Sequence, residues 1–292
     1  MTLDTILTAI KNLCSISGTA YDTFLTQEVN FGQQDFSREI NWPFLEARGS
    51  VSSVQYKSIY DLASNFDTIK SVIFQKNHFL QPVNWEQFNR LNKYASYGTP
   101  RYYTIREGKL YVWPAPDADA ATTTLGAAIT STTATTVTLA SVSNLEDKGR
   151  ILVDSEVIEY SHITTASLRL DACRRGQEET TAATHLIAAT VTYRDIEYDY
   201  YKTLADLSGT DTSSIPARYH EALCLYAASR FFEKTEDLAQ ANNLFQRYLI
   251  IREQAKKDVG EKIVHRFSTV LDDSTSNVTL RDNTWPENSS LT

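Results

Sequence analysis

The sequence predicts an α+β protein with an α-helical bundle core and a small β-sheet, an inserted all-β barrel or sandwich module, and an extended C-terminal arm. Three features of the 292 residues support this prediction. Apolar residues recur at helical spacing near both ends of the core. An uncharged, Thr-rich stretch from Ala120 to Leu145 opens a run of short alternating segments, and β-branched Thr favours strands over helix. After Gly260 the chain is rich in Ser, Thr, Asn and Asp, and its composition favours an extended segment.

Two helices are predicted at the N-terminus. Thr2 can cap the first, and Gly18 can end it. The second precedes Pro43, which cannot continue a helix from within. The first helix is amphipathic and carries Asp4, which is not typical of a secretion signal. The apolar stripes of the two helices contain Leu3, Ile6, Leu7, Ile10, Leu13, Tyr21, Phe24, Leu25 and Val29.

The middle of the chain predicts short strands and one short helix. Residues 51–56 and 69–74 are typical of strands, and residues 85–95 are typical of a helix with Trp85, Phe88 and Leu91 facing inward. Two alternating segments, 102–105 and 109–113, flank Gly108 and predict a β-hairpin. We expect the aromatic strand Ile196–Tyr201 to pair with Leu110–Trp113, the nearest strand without a second partner.

The later part of the chain sets the domain boundaries. Regular short strands with turn residues between them predict a β-module over residues 120–193. Helical periodicity returns at Ile215-Pro216 and forms a helical hairpin with a turn at Lys234–Asp237. We therefore predict a core of residues 1–119 and 194–259, the inserted module of residues 120–193, and an arm of residues 260–292.

Composition excludes several classes of function. A net charge of −8 and a pI near 5.2 disfavour a protein that grips nucleic acid, because phosphate binding needs clustered Lys and Arg. Three widely spaced cysteines fit reduced thiols rather than a disulfide framework. The uncharged stretch is too polar for a membrane span.

The carboxylates and the thiol of the module offer weak catalytic candidates. Asp154, Glu156 and Glu159 could hold Ca²⁺ or act as acid and base, but alternation normally places such groups on the solvent face of a strand. Cys173 could pair with His162 or His185, but a small buried thiol is the stronger interpretation.

Two further groups of residues, one basic and one aromatic, also have ordinary structural interpretations. Arg174–Gly176 could contact phosphate, although a solvated loop or an ion pair is more common. Tyr219 and His220 are interpreted as packing or interface groups. No nucleotide-binding, metalloprotease or CxxC motif occurs, so we predict no catalytic residue, no cofactor and no metal, and no enzymatic activity.

Five short motifs occur in order along the chain: Trp42-Pro43, Gly98–Tyr103, Pro114–Asp117, Ile196–Tyr201 and Ile215–His220. Their order resembles that of the head-to-tail adaptor (connector, or head completion) proteins of tailed bacteriophages. The resemblance covers about residues 1–119 and 194–257. The inserted module departs from that pattern, and its GRILVDSEVIEY and CRRGQEETTAATH resemble a small β-module of phage tail and baseplate proteins.

The resemblance implies a structural virion protein at the head-tail interface, assembled in the host cytoplasm. It implies a ring of about twelve copies closed by heterologous contacts. Its partners would be its own copies, the portal protein, and tail nozzle, tube or fibre proteins. DNA would pass through the channel without specific binding, and no membrane is involved.

Two hypotheses remain open beside the central one. The chain could be a tail or receptor-binding subunit whose module contacts host glycan. A hydrolase acting on envelope or DNA is a third class, but no motif supports it. For the adaptor hypothesis, we expect apolar residues of the arm to bind a partner along a groove. The candidate interface residues are Ile263, Phe267, Val270, Leu271, Leu280 and Trp285.

Overall fold

The computed structural model describes residues 1–38, 40–75 and 78–277, with side chains through Val259. The chain folds into two compact units, one formed by Met1–Phe44 and the residues from Leu204 onward, the other by Leu45–Thr203. The α-helices of the described residues are α1 (Leu3–Leu13), α2 (Asp22–Ser37), α3 (Trp85–Leu91), α4 (His220–Lys234) and α5 (Leu238–Asn277).

The first unit is helical, and its N-terminal helix begins and packs as its sequence predicts. The hydroxyl of Thr2 accepts a hydrogen bond from the N–H of Thr5 and caps α1, whose apolar stripe is buried except for Leu13 at its end. Helix α2 packs closely on α4 at Gly32, where a Cβ would lie 2.8 Å from the Tyr226 ring. Trp42 is fully buried, stacks on Phe36 at 4.9 Å and donates its ring N–H to the Phe36 carbonyl.

Helices α4 and α5 form the predicted hairpin, and the turn between them lies at residues 235–237. Tyr248 of α5 is fully buried and donates its hydroxyl hydrogen to Asp35 of α2. Arg252 donates to the same carboxylate at 2.7 Å. Two side chains of α5 thereby bind α2 through Asp35.

The second unit contains the sixteen strands of the described residues, arranged in four sheets, together with α3. The strands are β1 (Glu46–Val51), β2 (Ile59–Asp61), β3 (Phe66–Phe74), β4 (His78–Phe79), β5 (Gln81–Pro82), β6 (Tyr102–Arg106), β7 (Lys109–Trp113), β8 (Thr122–Thr124), β9 (Val137–Thr138), β10 (Gly149–Val153), β11 (Glu156–Tyr160), β12 (His162–Thr164), β13 (Arg169–Asp171), β14 (Arg174–Gln177), β15 (Thr190–Tyr193) and β16 (Ile196–Lys202).

Two of the sheets share one hydrophobic core. Their strand orders are β1-β16-β3-β4 and β2-β7-β6-β5, and all pairs are antiparallel except β5 with β6. The predicted hairpin is confirmed as β6 and β7, whose two turn residues, Glu107 and Gly108, both have positive φ. Strand β16 buries Ile196, Tyr198 and Tyr200 on one side.

The other two sheets are built entirely from residues 122–193. Their strand orders are β14-β11-β10-β15-β8 and β12-β13-β9. Both sheets contribute to a second hydrophobic core. Its fully or almost fully buried members include Leu125, Val137, Leu139, Ile151, Val153, Ile158, Tyr160, Leu170 and Val191.

The predicted fold class, an α-helical bundle core with a small β-sheet, is wrong. The structure is a mixed α+β fold with 32% helix and 30% strand, and strands dominate the second unit. The predicted partner of the aromatic strand is also wrong, because β16 lies between β1 and β3 while β7 pairs with β2 and β6. The two pairings of β16 join segments more than a hundred residues apart, and local alternation does not encode them.

The C-terminal arm is not extended where the structure describes it. Helix α5 continues past Gly260 to Asn277, and residues 278–292 lie outside the described residues. A glycine costs a helix only about 1 kcal/mol, so Gly260 is a weak stop signal. Ile263, Phe267, Val270 and Leu271 are also spaced at i, i+4, i+7 and i+8, which is a helical stripe.

Candidate functional site

The candidate interface residues of the arm fall into two groups. Ile263, Phe267, Val270 and Leu271 lie on the helical backbone of α5. Their side chains, and all of Leu280 and Trp285, lie outside the described residues. The structure therefore brings the first four onto one helix, and their role as an interface stays a prediction.

A buried charged cluster lies in the module, at a position where the sequence predicted a solvent-facing carboxylate. The Glu156 side chain, at the start of β11, is completely inaccessible to solvent. Arg175 of β14 binds it with two parallel hydrogen bonds, from Nε to Oε1 at 2.7 Å and from Nη2 to Oε2 at 2.6 Å. The prediction that this carboxylate faces solvent is wrong, because strand pairing brings Arg175 against it.

His185 completes this cluster. Its Nε2 lies 2.8 Å from Oε2 of Glu156, and its Nδ1 lies 2.7 Å from Oδ2 of Asp154. The imidazole is buried, whereas the Asp154 carboxylate is 60% exposed. The imidazole thus links the buried carboxylate to one at the surface.

Glu156 also accepts hydrogen bonds from two backbone N–H groups, those of Gly176 and Ala183, each at 3.0 Å. Burial alone would raise the pKa of Glu156, but the hydrogen bonds from Arg175, His185 and these N–H groups outweigh it and lower the pKa to about 2. The carboxylate is therefore ionised at neutral pH and fully paired, which suits a structural role.

A second carboxylate, Glu178, ties the module to the sheet that contains β1. It accepts hydrogen bonds from the hydroxyl of Ser50 in β1 and from Arg150 of β10, the latter at 2.6 Å. Arg194, between β15 and β16, approaches it at 3.4 Å. The neighbouring Glu179 accepts from the side-chain amide of Asn65 at 2.6 Å.

The other candidate residues from the sequence make ordinary packing, hydrogen-bond or ion-pair contacts within the fold. Cys173 is buried, as predicted, and burial raises the pKa of its thiol to about 11. His162 is exposed and pairs with Asp147 at 3.1 Å, while His185 belongs to the cluster of Glu156. His220 is buried and bonded to the Ile215 carbonyl at 2.7 Å.

Neither a metal-binding group nor a membrane span is found in the described part of the chain. No three or more His, Cys, Asp and Glu residues there are grouped so that they could hold a metal ion. Among the described helices, none combines the length and the apolar character needed to cross a bilayer.

These contacts pair the charged groups of the module with one another. The family model described as SU10 adaptor protein matches residues 1–155, just over half of the chain. The chain therefore belongs to the SU10 adaptor family, and its predicted resemblance to phage head-to-tail adaptors is confirmed. A comparison with curated proteins finds no match.

Proposed function

We propose that this phage adaptor forms a ring of about twelve copies that joins the portal vertex of the head to the tail and continues the DNA channel. The observation that carries the proposal is the family match over residues 1–155, which contains Trp42-Pro43, Gly98–Tyr103 and Pro114–Asp117. The net charge of −8 supports a channel that lets DNA slide, because a wall with few clustered cations does not hold phosphates.

Residues 120–193 are proposed as an inserted module. The strands of each sheet lie either all within residues 120–193 or all outside them, and this supports the proposed boundaries of the module. The N–H of Tyr193 donates to the carbonyl of Ala121 at 2.8 Å, so the two ends of the module lie together. Residues 1–119 and 194–259 are divided between the two compact units. That they form a single core stays a prediction.

The C-terminal segment is proposed to bind the portal or a neighbouring copy. Ile263, Phe267, Val270 and Leu271 share one side of a helix by their spacing, and such a stripe fits an apolar groove. Leu280 and Trp285 are further anchors in this proposal. Tail nozzle, tube or fibre proteins are proposed partners of the same assembly.

The glycan-binding alternative has no observation in its favour. Sugar-binding surfaces commonly use exposed aromatic rings, but across residues 120–193, all of them described, the two tyrosines, Tyr160 and Tyr193, are 1% and 3% exposed.

The proposed function is tested by native mass spectrometry and electron microscopy of the purified chain, alone and with purified portal rings. We expect a ring of about twelve copies on the portal. A chain that stays monomeric in both conditions would refute the proposal. Deletion of residues 261–292 is expected to weaken portal binding or ring closure, and unchanged binding and closure would exclude the C-terminal segment as an assembly element.

A further inference from the structure

One end of the module exposes a surface without formal charge. It is formed by residues 126–136 and 181–188, which we call the charge-free face. These nineteen residues contain no Asp, Glu, Lys or Arg, although at the chain's average of 22% they would carry about four. Leu186 and Ile187 lie side by side on this face and are 80% and 62% exposed. Two adjacent aliphatic side chains this exposed keep apolar surface in water, and a partner that covered them would gain from its burial.

The charge-free face is held in place from beneath. Ile129 and His185 exchange two backbone hydrogen bonds, each of 2.9 Å, and so join the two loops. The buried Arg175 donates to the carbonyl of Ser131 at 2.9 Å and to that of Ala183 at 2.6 Å. The charged cluster around Glu156 therefore fixes both loops before any partner binds, which lowers the entropy cost of association.

The chemistry of the face excludes several ligand classes. Nucleic acid requires cations, and the face has none. Membrane surfaces favour basic and aromatic side chains around an apolar tip, and Asp154 at the border carries the opposite charge. Depletion of charged side chains is instead typical of the centre of a protein interface.

We propose that the charge-free face binds a second copy of this chain within the assembled ring. Copies that each carry a net charge of −8 repel one another, and contact is least opposed where the surface bears no charge. This inference rests on the proposed function, because it assumes that copies lie side by side. Leu186 and Ile187 are the apolar centre of the contact.

The first experiment introduces charge at the centre of the face in the full-length protein. Leu186→Glu with Ile187→Glu is expected to weaken self-association at least about tenfold, because the contact loses two buried aliphatic side chains and gains like charges. Thr165→Glu with Ala166→Glu is the matched control. It adds the same charge at two adjacent exposed positions of the same module outside the face, and it should leave self-association unchanged. Thermal unfolding of each variant checks that the fold is retained.

The second experiment locates the contact. All three native cysteines are buried, so Leu186→Cys provides a selectively reactive thiol for an environment-sensitive dye. We expect the dye emission to shift to the blue as the protein concentration rises through the assembly range, whereas a dye at Ala166→Cys should not respond.

The outcomes separate this inference from the proposed function. Assembly with an unresponsive dye at position 186, or assembly unaffected by the glutamates there, overturns the inference and leaves the ring in place. A dye that responds only when portal rings or other virion proteins are added would show that the charge-free face does not bind a second copy, and would overturn the inference. A chain that never assembles, with or without portal, overturns the proposed function and this inference together.

Discussion

The carboxylate of Glu156 and the guanidinium of Arg175 meet through two parallel hydrogen bonds inside the module, with side chains 0% and 5% exposed. Such a pair need not stabilise a fold more than apolar residues would, because both charges lose their hydration. Breaking it is costly, however, since one charge then stays buried without its partner. The pair is therefore sensitive to single substitutions.

We predict that Glu156→Gln lowers the free energy of unfolding by about 3–5 kcal/mol, because the substitution leaves Arg175 without a counter-charge. Glu159→Gln is the control. Glu159 is 25% exposed and lies 3.6 Å or more from Arg150 and Arg174, so its loss should cost less than about 1 kcal/mol. Urea unfolding of both variants measures the difference. Equal effects of the two substitutions would contradict a special role for the buried pair.

The same carboxylate predicts a dependence of stability on acid. The pKa of Glu156 falls from 4.5 to about 2 on folding, so its contribution is complete above about pH 4.5 and is lost as the pH falls toward 2. The total contribution is about 3 kcal/mol, of which about 2 kcal/mol is lost by pH 3. The stability difference between the wild type and Glu156→Gln should shrink accordingly between pH 7 and pH 3. A difference independent of pH over this range would disprove the assignment.

Much of the local structure follows from the sequence alone. The cap at Thr2, the hairpin turn at Glu107-Gly108 and the helical hairpin of α4 and α5 all depend on residues close together in the chain, and they form where predicted. Local propensities and turn residues are sufficient for such elements. The end of α5 lies beyond the predicted one because one glycine costs a helix little and the apolar spacing that follows Gly260 is helical.

The candidate site could not be predicted in the same way. Glu156 alternates with its neighbours as a solvent-facing residue would, and only its partners at positions 175 and 185 explain its burial. Those partners reach it through strand pairing and loop closure that one sequence does not reveal. The pairing of β16 with β1 and β3 could not be predicted for the same reason, because the assembled core sets the register of strands that are far apart in sequence.

Glu178 is predicted to fix the module on the sheet that contains β1. It is 11% exposed and receives hydrogen bonds from Ser50 and Arg150, so Glu178→Gln should cost about 1–3 kcal/mol. The adjacent Glu179→Gln, at a 63% exposed position, should cost less than about 1 kcal/mol. Limited proteolysis at the ends of the module should become faster in the first variant only. Identical cleavage rates would argue that the module is held by other contacts.

Residues 120–193 should be removable without loss of the remaining fold. No strand of the module belongs to the sheets formed by residues 46–113 and 196–202, and the module's ends are joined by the hydrogen bond between Tyr193 and Ala121. A short Gly-Ser linker in its place closes a gap at small entropic cost. We expect the shortened chain to unfold in a cooperative thermal transition. A broad, non-cooperative transition would show that the module is integral to the fold.

The close packing of β1 on β16 gives the last prediction. A Cβ at Gly49 would lie 2.3 Å from Cζ of Tyr198, and Tyr198 is held there because its hydroxyl accepts a hydrogen bond from the N–H of Ala63 at 3.0 Å. Gly49→Ala should therefore cost about 1–3 kcal/mol by overpacking. In a Tyr198→Leu background the clash is removed, and the same substitution should cost clearly less. The double-mutant cycle, measured by urea unfolding, should give a coupling energy of about 1 kcal/mol or more. Strictly additive effects would mean that Tyr198 does not determine which residue fits opposite it at position 49.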